Sequence, residues 1–195
     1  MQLTDGMVLY HGSYMPVEHI DLRRCSVGKD FGRGFYVTSD LEQARRFIPN
    51  SVRKARQDGK IAGEQAFGYV STFVFHGNPK DFQYYDFPDA DEAWLRFVAT
   101  NRGKKLDSSL LPVTLAERLA SAEIISGKVA NDNTNMVIDI YLAGGYGPLN
   151  DPMSIATALR LLHPEYLKDQ FCFLTQHAID CLKIQEVIRY GEGLH

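Results

Sequence analysis

Residues 29–40 read KDFGRGFYVTSD, a stretch in which two glycines come directly before an aromatic pair. Gly32 and Gly34 are separated by one arginine, and a run of aromatic and β-branched residues follows them. That run predicts a β-strand over residues 34–38. Glycine brings no side chain to a strand, so we expect these two glycines either to form a turn that leads into a core strand or to let the backbone before Tyr36 run close to a ligand.

The segments on either side of this stretch predict a mixed α+β fold. The predicted strands cover residues 7–13, 34–38, 67–76, 82–87, 123–130, 170–175 and 184–190. The predicted helices cover residues 39–47, 89–103, 114–121, 132–145, 151–163 and 176–182. Strands and helices follow one another without a regular βαβ rhythm, which favours largely antiparallel pairing over a doubly wound sheet.

Three helix boundaries are specific enough to test. Ser39, with Glu42 three residues later, forms a capping-box pattern and is expected to begin the first helix. Pro49 is expected to end that helix near Phe47, because a proline disfavours helical geometry in the residue before it. Asp151 is expected to cap the helix that follows it, with a proline at the first helical position.

Length and composition predict one ordinary globular domain over residues 1–195. The net charge of −3 excludes a general basic footprint for nucleic acid or an anionic membrane. The three cysteines match no zinc or redox spacing, and neither do the histidines, so we expect no metal and a reducing cytoplasmic location. The first residues lack the features of a signal peptide, and no apolar run is long enough to span a membrane.

Three segments, LYHGS (9–13), FGRGFYVTS (31–39) and DQFCFLT (169–175), together resemble the ADP-ribosyltransferase superfamily. The resemblance is to its histidine–tyrosine–glutamate branch, that of diphtheria toxin and the poly(ADP-ribose) polymerases. The chain also looks like a small uncharacterised bacterial family assigned to that superfamily. The resemblance implies split antiparallel β-sheets with helical insertions, a cleft between the sheets, and NAD as the substrate held there in a bent form.

The first segment supplies the histidine of the signature. The resemblance implies that His11 hydrogen-bonds the adenosine ribose, a task that suits an imidazole because it offers a donor or an acceptor near neutral pH. It implies that the backbone of Gly12 pairs with the nicotinamide carboxamide, where a side chain would block the approach. Ser13 is expected to add a hydroxyl contact.

The second segment supplies the aromatic residue of the signature. The resemblance implies that Gly32 and Gly34 let the backbone run close to NAD and that Tyr36 lies flat against the nicotinamide ring. Stacking of this kind is worth roughly 0.5–1.5 kcal/mol beyond burial. Phe47, late in the following helix, is expected to supply a second aromatic contact.

The third segment departs from the family pattern, because Gln170 stands where the family carries glutamate. A glutamine keeps the hydrogen bond to the ribose 2′-hydroxyl but loses the charge that steadies the oxocarbenium-like centre. Single transfer is therefore expected instead of chain building, either to an acceptor atom that is already nucleophilic or with the help of another carboxylate. Asp169 should point to the opposite face of its strand, and capping or a solvated surface explains Asp132 and Glu165 more simply than catalysis does.

Three functions stay open. The first is an NAD-dependent mono-ADP-ribosyltransferase that modifies a protein or nucleic acid, a class whose small members the resemblance links to bacterial toxins held by antitoxin proteins. The second is a catalytically inactive module that binds NAD or ADP-ribose. The third is an NAD-dependent RNA 2′-phosphotransferase. Basic residues after Tyr36 suit phosphate, though equally a solvated face: Arg45, Arg46, Arg53, Lys54 and Arg56.

Overall fold

The computed structural model of the chain contains two β-sheets and describes residues 2–102, 111–129, 132–163 and 167–191, apart from the side chains of residues 132 and 133. Its strands are β1 (Val8–Ser13), β2 (Phe35–Val37), β3 (Gly68–Phe75), β4 (Tyr84–Asp86), β5 (Ile124–Lys128), β6 (Asp169–Phe173) and β7 (Leu182–Tyr190). Its helices are α1 (Leu41–Gln57), α2 (Glu92–Arg102), α3 (Val113–Ala120), α4 (Asp132–Leu142), α5 (Pro152–Leu162) and α6 (Gln176–Ile179). The predicted α+β class is confirmed.

The strands pair mainly in the antiparallel sense. The first sheet has the order β1-β3-β7, and both of its pairings are antiparallel. The second sheet has the order β2-β6-β5-β4, and β4 alone pairs in parallel, with β5. A parallel pair needs a long crossover, and α2 and α3 lie in the chain between these two strands. Within the described ranges, no helix has the length and apolar character needed to cross a membrane.

The two sheets are joined edge to edge at one residue pair. Tyr10 of β1 and Thr38, just after β2, form an isolated bridge with backbone N···O distances of 2.7 and 3.0 Å. One residue further along β1, the contact changes from backbone to side chain, because Nδ1 of His11 lies 2.7 Å from the carbonyl oxygen of Tyr36. At this position a side-chain hydrogen bond stands in place of backbone pairing between β1 and β2.

Helix α1 packs against the first sheet. Ala44, Ile48 and Val52 of the helix are buried with Val70 of β3 in one apolar cluster. The approach is close enough that a Cβ atom on Gly12 would lie 2.0 Å from the backbone oxygen of Ala44. The glycine in β1 is thus required by the protein's own helix.

Helix α1 begins one residue later than expected. Asp40, and not Ser39, is its N-cap, and the Asp40 carboxylate accepts a hydrogen bond from the backbone N–H of Gln43 at 3.1 Å. The capping-box prediction was therefore wrong by one position. An aspartate satisfies the free N–H groups of the first turn as well as a serine does, and its charge also suits the helix N-terminus.

Helix α1 also continues through Pro49 to Gln57, so the expected end near Phe47 was wrong. Proline removes one backbone N–H, a cost of about 3 kcal/mol in a helix interior. Apolar residues on both sides of the proline, Ile48 and Val52, are buried against the sheet and hold the helix across it. Tertiary packing here overrides local preference.

The second sheet carries the larger core, and that core anchors the glycine-rich segment. Trp94 of α2 is fully buried and donates its indole N–H to the Lys128 carbonyl at 3.1 Å. Phe31 stacks with Phe87 and Phe97, with ring centroids 6.0 and 6.1 Å apart. The segment before β2 is therefore fixed by an aromatic cluster.

The Gly12 contact yields a test of the fold. Gly12→Ala should lower the free energy of unfolding by about 1–3 kcal/mol, the usual cost of overpacking, because the added methyl group meets backbone. Gly63→Ala is the matched control, since a Cβ atom there meets nothing within 4 Å. Urea unfolding of the two variants measures both values. Equal stabilities would contradict the close packing of α1 on β1.

Candidate functional site

Two adjoining cavities open where the sheets separate. The first cavity has a volume of about 810 Å³ and extends along the segment of residues 13–21 after β1. The second has a volume of about 730 Å³ and extends along β2 and the beginning of α1. Both volumes fall within the roughly 300–1,000 Å³ of small-molecule sites. The residues that line both are His11, Gly12, Lys29, Tyr36, Phe47, Asn50 and Asn135.

His11 is held in one tautomer. A carbonyl oxygen can only accept, so Nδ1 must carry the proton that bonds to the Tyr36 carbonyl at 2.7 Å. The neutral ring then presents Nε2 as an acceptor. Burial lowers the pKa of His11, although the same backbone hydrogen bond opposes the effect. The imidazole is therefore neutral near pH 7 and can accept a hydrogen bond from a hydroxyl group.

Tyr36 is fixed by its phenol group. The hydroxyl donates to the Gly32 carbonyl at 2.8 Å and accepts from the Phe31 backbone N–H at 2.9 Å. Gly32 has a φ of +86°, a left-handed conformation that lets the segment turn back toward its own tyrosine. Burial raises the pKa of Tyr36, so the phenol stays protonated. The ring lines both cavities in one orientation.

Gln170 lies on β6 and is only 6% exposed, so it is not a solvent-exposed strand end. Its Nε2 donates to the Asp30 carboxylate at 2.9 Å and to the Lys128 carbonyl at 3.2 Å. Both partners are acceptors, so the amide nitrogen must face them. The amide oxygen then remains as the acceptor of the side chain, in the lining of the second cavity.

Asp30 is the functional candidate that sequence reasoning missed. It is 5% exposed, lines the second cavity and accepts from Arg102 Nε at 2.7 Å and from Gln170. Its backbone carbonyl accepts from the Asn101 side chain at 2.9 Å. The one local signal for its burial was its place directly before Phe31, a core residue.

Of the carboxylates considered from the sequence, Asp169 is the one whose side chain the structure describes. Asp169 forms an ion pair with Lys128 Nζ at 3.0 Å. The side chain of Asp132 and the whole of Glu165 lie outside the described residues. Asp30 is thus the carboxylate that contacts Gln170 in the part of the chain that the structure describes.

Three further predicted residues line the first cavity, namely Ser13, Gly34 and Phe47. Ser13 is buried and lines the first cavity, whereas Phe47 is 47% exposed and lines both. Gly34 is close-packed, because a Cβ atom there would lie 2.4 Å from Cys172 Sγ and 2.8 Å from the Phe173 oxygen. Gly34, like Gly12, is therefore explained without a ligand.

Cations border both cavities. Lys29 is half-buried between them, and burial followed by the charge of Lys54 lowers its pKa. Three of the basic residues noted in the sequence also line a cavity, namely Arg46, Arg53 and Lys54. The other two bond within the protein, because Arg45 pairs with Glu42 and Arg56 donates to a backbone carbonyl.

One comparison with known proteins bears on the whole chain. Residues 7–184 match the family described as "Protein of unknown function (DUF3990)". No curated protein matches the chain significantly.

The lowered pKa of His11 predicts a pH dependence of stability. The unfolded chain binds a proton at His11 more readily than the folded chain does. The stability that the neutral imidazole contributes is therefore complete above pH 6.5 and is lost as the pH falls below that value. His11→Asn keeps a donor for the Tyr36 carbonyl but does not titrate. Urea unfolding from pH 7.5 to 5 should show a steeper loss of stability in the wild type than in this variant. Parallel curves would contradict a buried neutral imidazole.

Proposed function

The chain belongs to the DUF3990 family, and we propose that it is an NAD-dependent mono-ADP-ribosyltransferase. One observation carries the proposal: His11, Tyr36 and Gln170 come from three distant segments and line one cavity where the sheets separate. They are the positions that resemble the histidine–tyrosine–glutamate signature. A dinucleotide bent in a cleft needs contacts at both of its ends, and convergence of these residues is what such binding requires.

The proposed reaction breaks the bond between nicotinamide and C1′ of its ribose. The bonding electron pair leaves with nicotinamide, which departs neutral, and positive charge develops on the ribose. A nucleophile of the acceptor then bonds to C1′ and releases its proton to solvent. The amide oxygen of Gln170 accepts from a ribose hydroxyl and so orients the sugar, while the fixed Tyr36 ring restrains the leaving group.

His11 and Lys29 are assigned to the remainder of NAD. The free Nε2 of His11 is an acceptor for a hydroxyl of the adenosine ribose. Lys29 lies in the wall that the two cavities share, where a dinucleotide spanning both would place its pyrophosphate. Within the residues that the structure describes, the side chain of Lys29 forms neither a hydrogen bond nor an ion pair, so its ammonium group is available to an anion.

A second candidate function is an NAD- or ADP-ribose-binding module without turnover. The observation that favours it is the ion pair between Asp30 and Arg102, because the carboxylate nearest Gln170 already has a cationic partner. Calorimetry separates the two functions. Binding of NAD without any release of nicotinamide, by a protein of native stability, would support the module.

Turnover tests the transferase directly. The protein incubated with NAD labelled in its adenosine part and with cell lysate should transfer label to a macromolecule and release nicotinamide. Tyr36→Ala should reduce nicotinamide release about tenfold or more, because the ring restrains the leaving group. Tyr85→Ala is the control, since this half-buried tyrosine of the same sheet lines neither cavity. A wild type with neither transfer nor release, or equal effects of both substitutions, would contradict the proposal.

Affinity for NAD tests the assignment of Lys29. Lys29→Ala should raise the KM for NAD about tenfold, which corresponds to the loss of one hydrogen bond to a charged group. Lys29→Arg should bring the KM back close to the wild-type value. Lys80→Ala, an exposed lysine outside both cavities, is the control. Steady-state kinetics at two salt concentrations measures the effect, which should shrink at high salt. An unchanged KM in Lys29→Ala would remove this residue from the binding site.

A further inference from the structure

We propose that Asp30 and Gln170 act as a pair that replaces the single glutamate of the signature, with Gln170 as the hydrogen-bond acceptor and Asp30 as its positioning residue. The inference rests on the proposed transferase function and extends it to a residue that no motif contains. It also explains why the chain carries an amide at the position where the resemblance leads one to expect a carboxylate.

Asp30 is held rigidly enough to position another side chain. Arg102 binds its Oδ1 through a guanidinium group, and Asn101 binds its backbone carbonyl. The next residue, Phe31, is locked in the aromatic cluster described above. The carboxylate cannot swing away from Gln170 without breaking its bonds to Arg102.

The position of Asp30 decides which atom of Gln170 meets a ligand. An amide can present either its nitrogen or its oxygen to a ligand. In the flipped orientation, the N–H donor of the amide would face a ribose hydroxyl that needs an acceptor. Asp30 Oδ2 and the Lys128 carbonyl both accept hydrogen bonds from the amide nitrogen of Gln170. Gln170 then accepts from a ribose hydroxyl as a glutamate would. Donation to an anion also polarises the amide and strengthens its oxygen as an acceptor.

The same contact explains why glutamate is disfavoured at position 170. A second carboxylate would lie about 2.9 Å from Asp30 Oδ2, where like charges oppose simultaneous ionisation. A glutamine at this place donates a hydrogen bond instead. Position 170 is thus compatible with an amide because position 30 already holds the acid.

Several charged or titratable groups surround this pair and enter any pH-dependent measurement. They are Arg102 of α2, Lys29 beside Asp30, Tyr36 of β2 and Cys172 of β6.

The first experiment uses a charge exchange. Asp30→Asn should reduce the kcat of nicotinamide release at least about tenfold while the Kd for NAD, measured by calorimetry, changes less than about threefold. Asp30→Asn combined with Gln170→Glu returns one amide and one carboxylate in exchanged positions and should recover most of the lost kcat. Asp89→Asn, an exposed aspartate outside the cavities, is the control.

Loss of Asp30 leaves the half-buried Arg102 without its carboxylate partner, so folding needs its own check. Asp30→Asn with Arg102→Gln removes both charges together and should fold, yet still show the reduced kcat. A folded variant without Asp30 that keeps the wild-type kcat would overturn the pair. So would Gln170→Glu alone if it exceeded wild-type kcat severalfold at neutral pH.

A second measurement needs no NAD. In Gln170→Glu, the neighbouring carboxylate raises the pKa of the new glutamate above its unfolded value, so stability is lost as the pH rises from 5 to 7.5. Adding Asp30→Asn should abolish this loss relative to wild type. A Gln170→Glu protein without the pH-dependent loss would overturn the pair. If Gln170→Glu shows the pH-dependent loss of stability but the wild type releases no nicotinamide, the contact between Asp30 and residue 170 is supported and the transferase proposal fails.

Discussion

The bridge between Tyr10 and Thr38 is the contact on which the site depends, because strand pairing between the two sheets stops there. Had β1 and β2 continued to pair, the sheets would form one continuous surface and no cavity would lie between them. One residue later, the imidazole of His11 lies between the two strands and connects them through its hydrogen bond to the Tyr36 carbonyl. The histidine is therefore both a spacer and an oriented acceptor.

Close backbone packing sets the walls around this opening. Gly12 admits α1 to the first sheet, and Gly34 admits β6 to the start of β2. The sequence pattern suggested that these glycines make room for a ligand, whereas the structure gives each a partner within the protein. A glycine can thus be singled out from the sequence while its physical reason lies elsewhere, since the same missing side chain serves close packing and ligand approach equally well.

Local patterns predicted the strands, most helices and the Asp151 cap, whose carboxylate accepts from Ser154 N–H as expected. The three residues named from the sequence, His11, Tyr36 and Gln170, line one cavity. Local patterns failed where distant contacts decide the outcome. Burial of the helix around Pro49 outweighs the preference of a proline to end it. No sequence pattern distinguishes Asp30 from an aspartate in a solvent-exposed loop. The burial of Asp30 depends on Arg102 and Gln170, which lie 72 and 140 positions away and carry no local signal for it.

The phenol of Tyr36 has one more consequence, through its bonds to the Phe31 N–H and the Gly32 carbonyl. These two hydrogen bonds close a short loop of the chain that contains the turn before β2. The aromatic cluster around Phe31 packs that loop against the core. A ligand entering the cavities would meet this segment of the wall already ordered. The entropy of ordering the segment, a cost that commonly weakens association, was therefore lost when the protein folded.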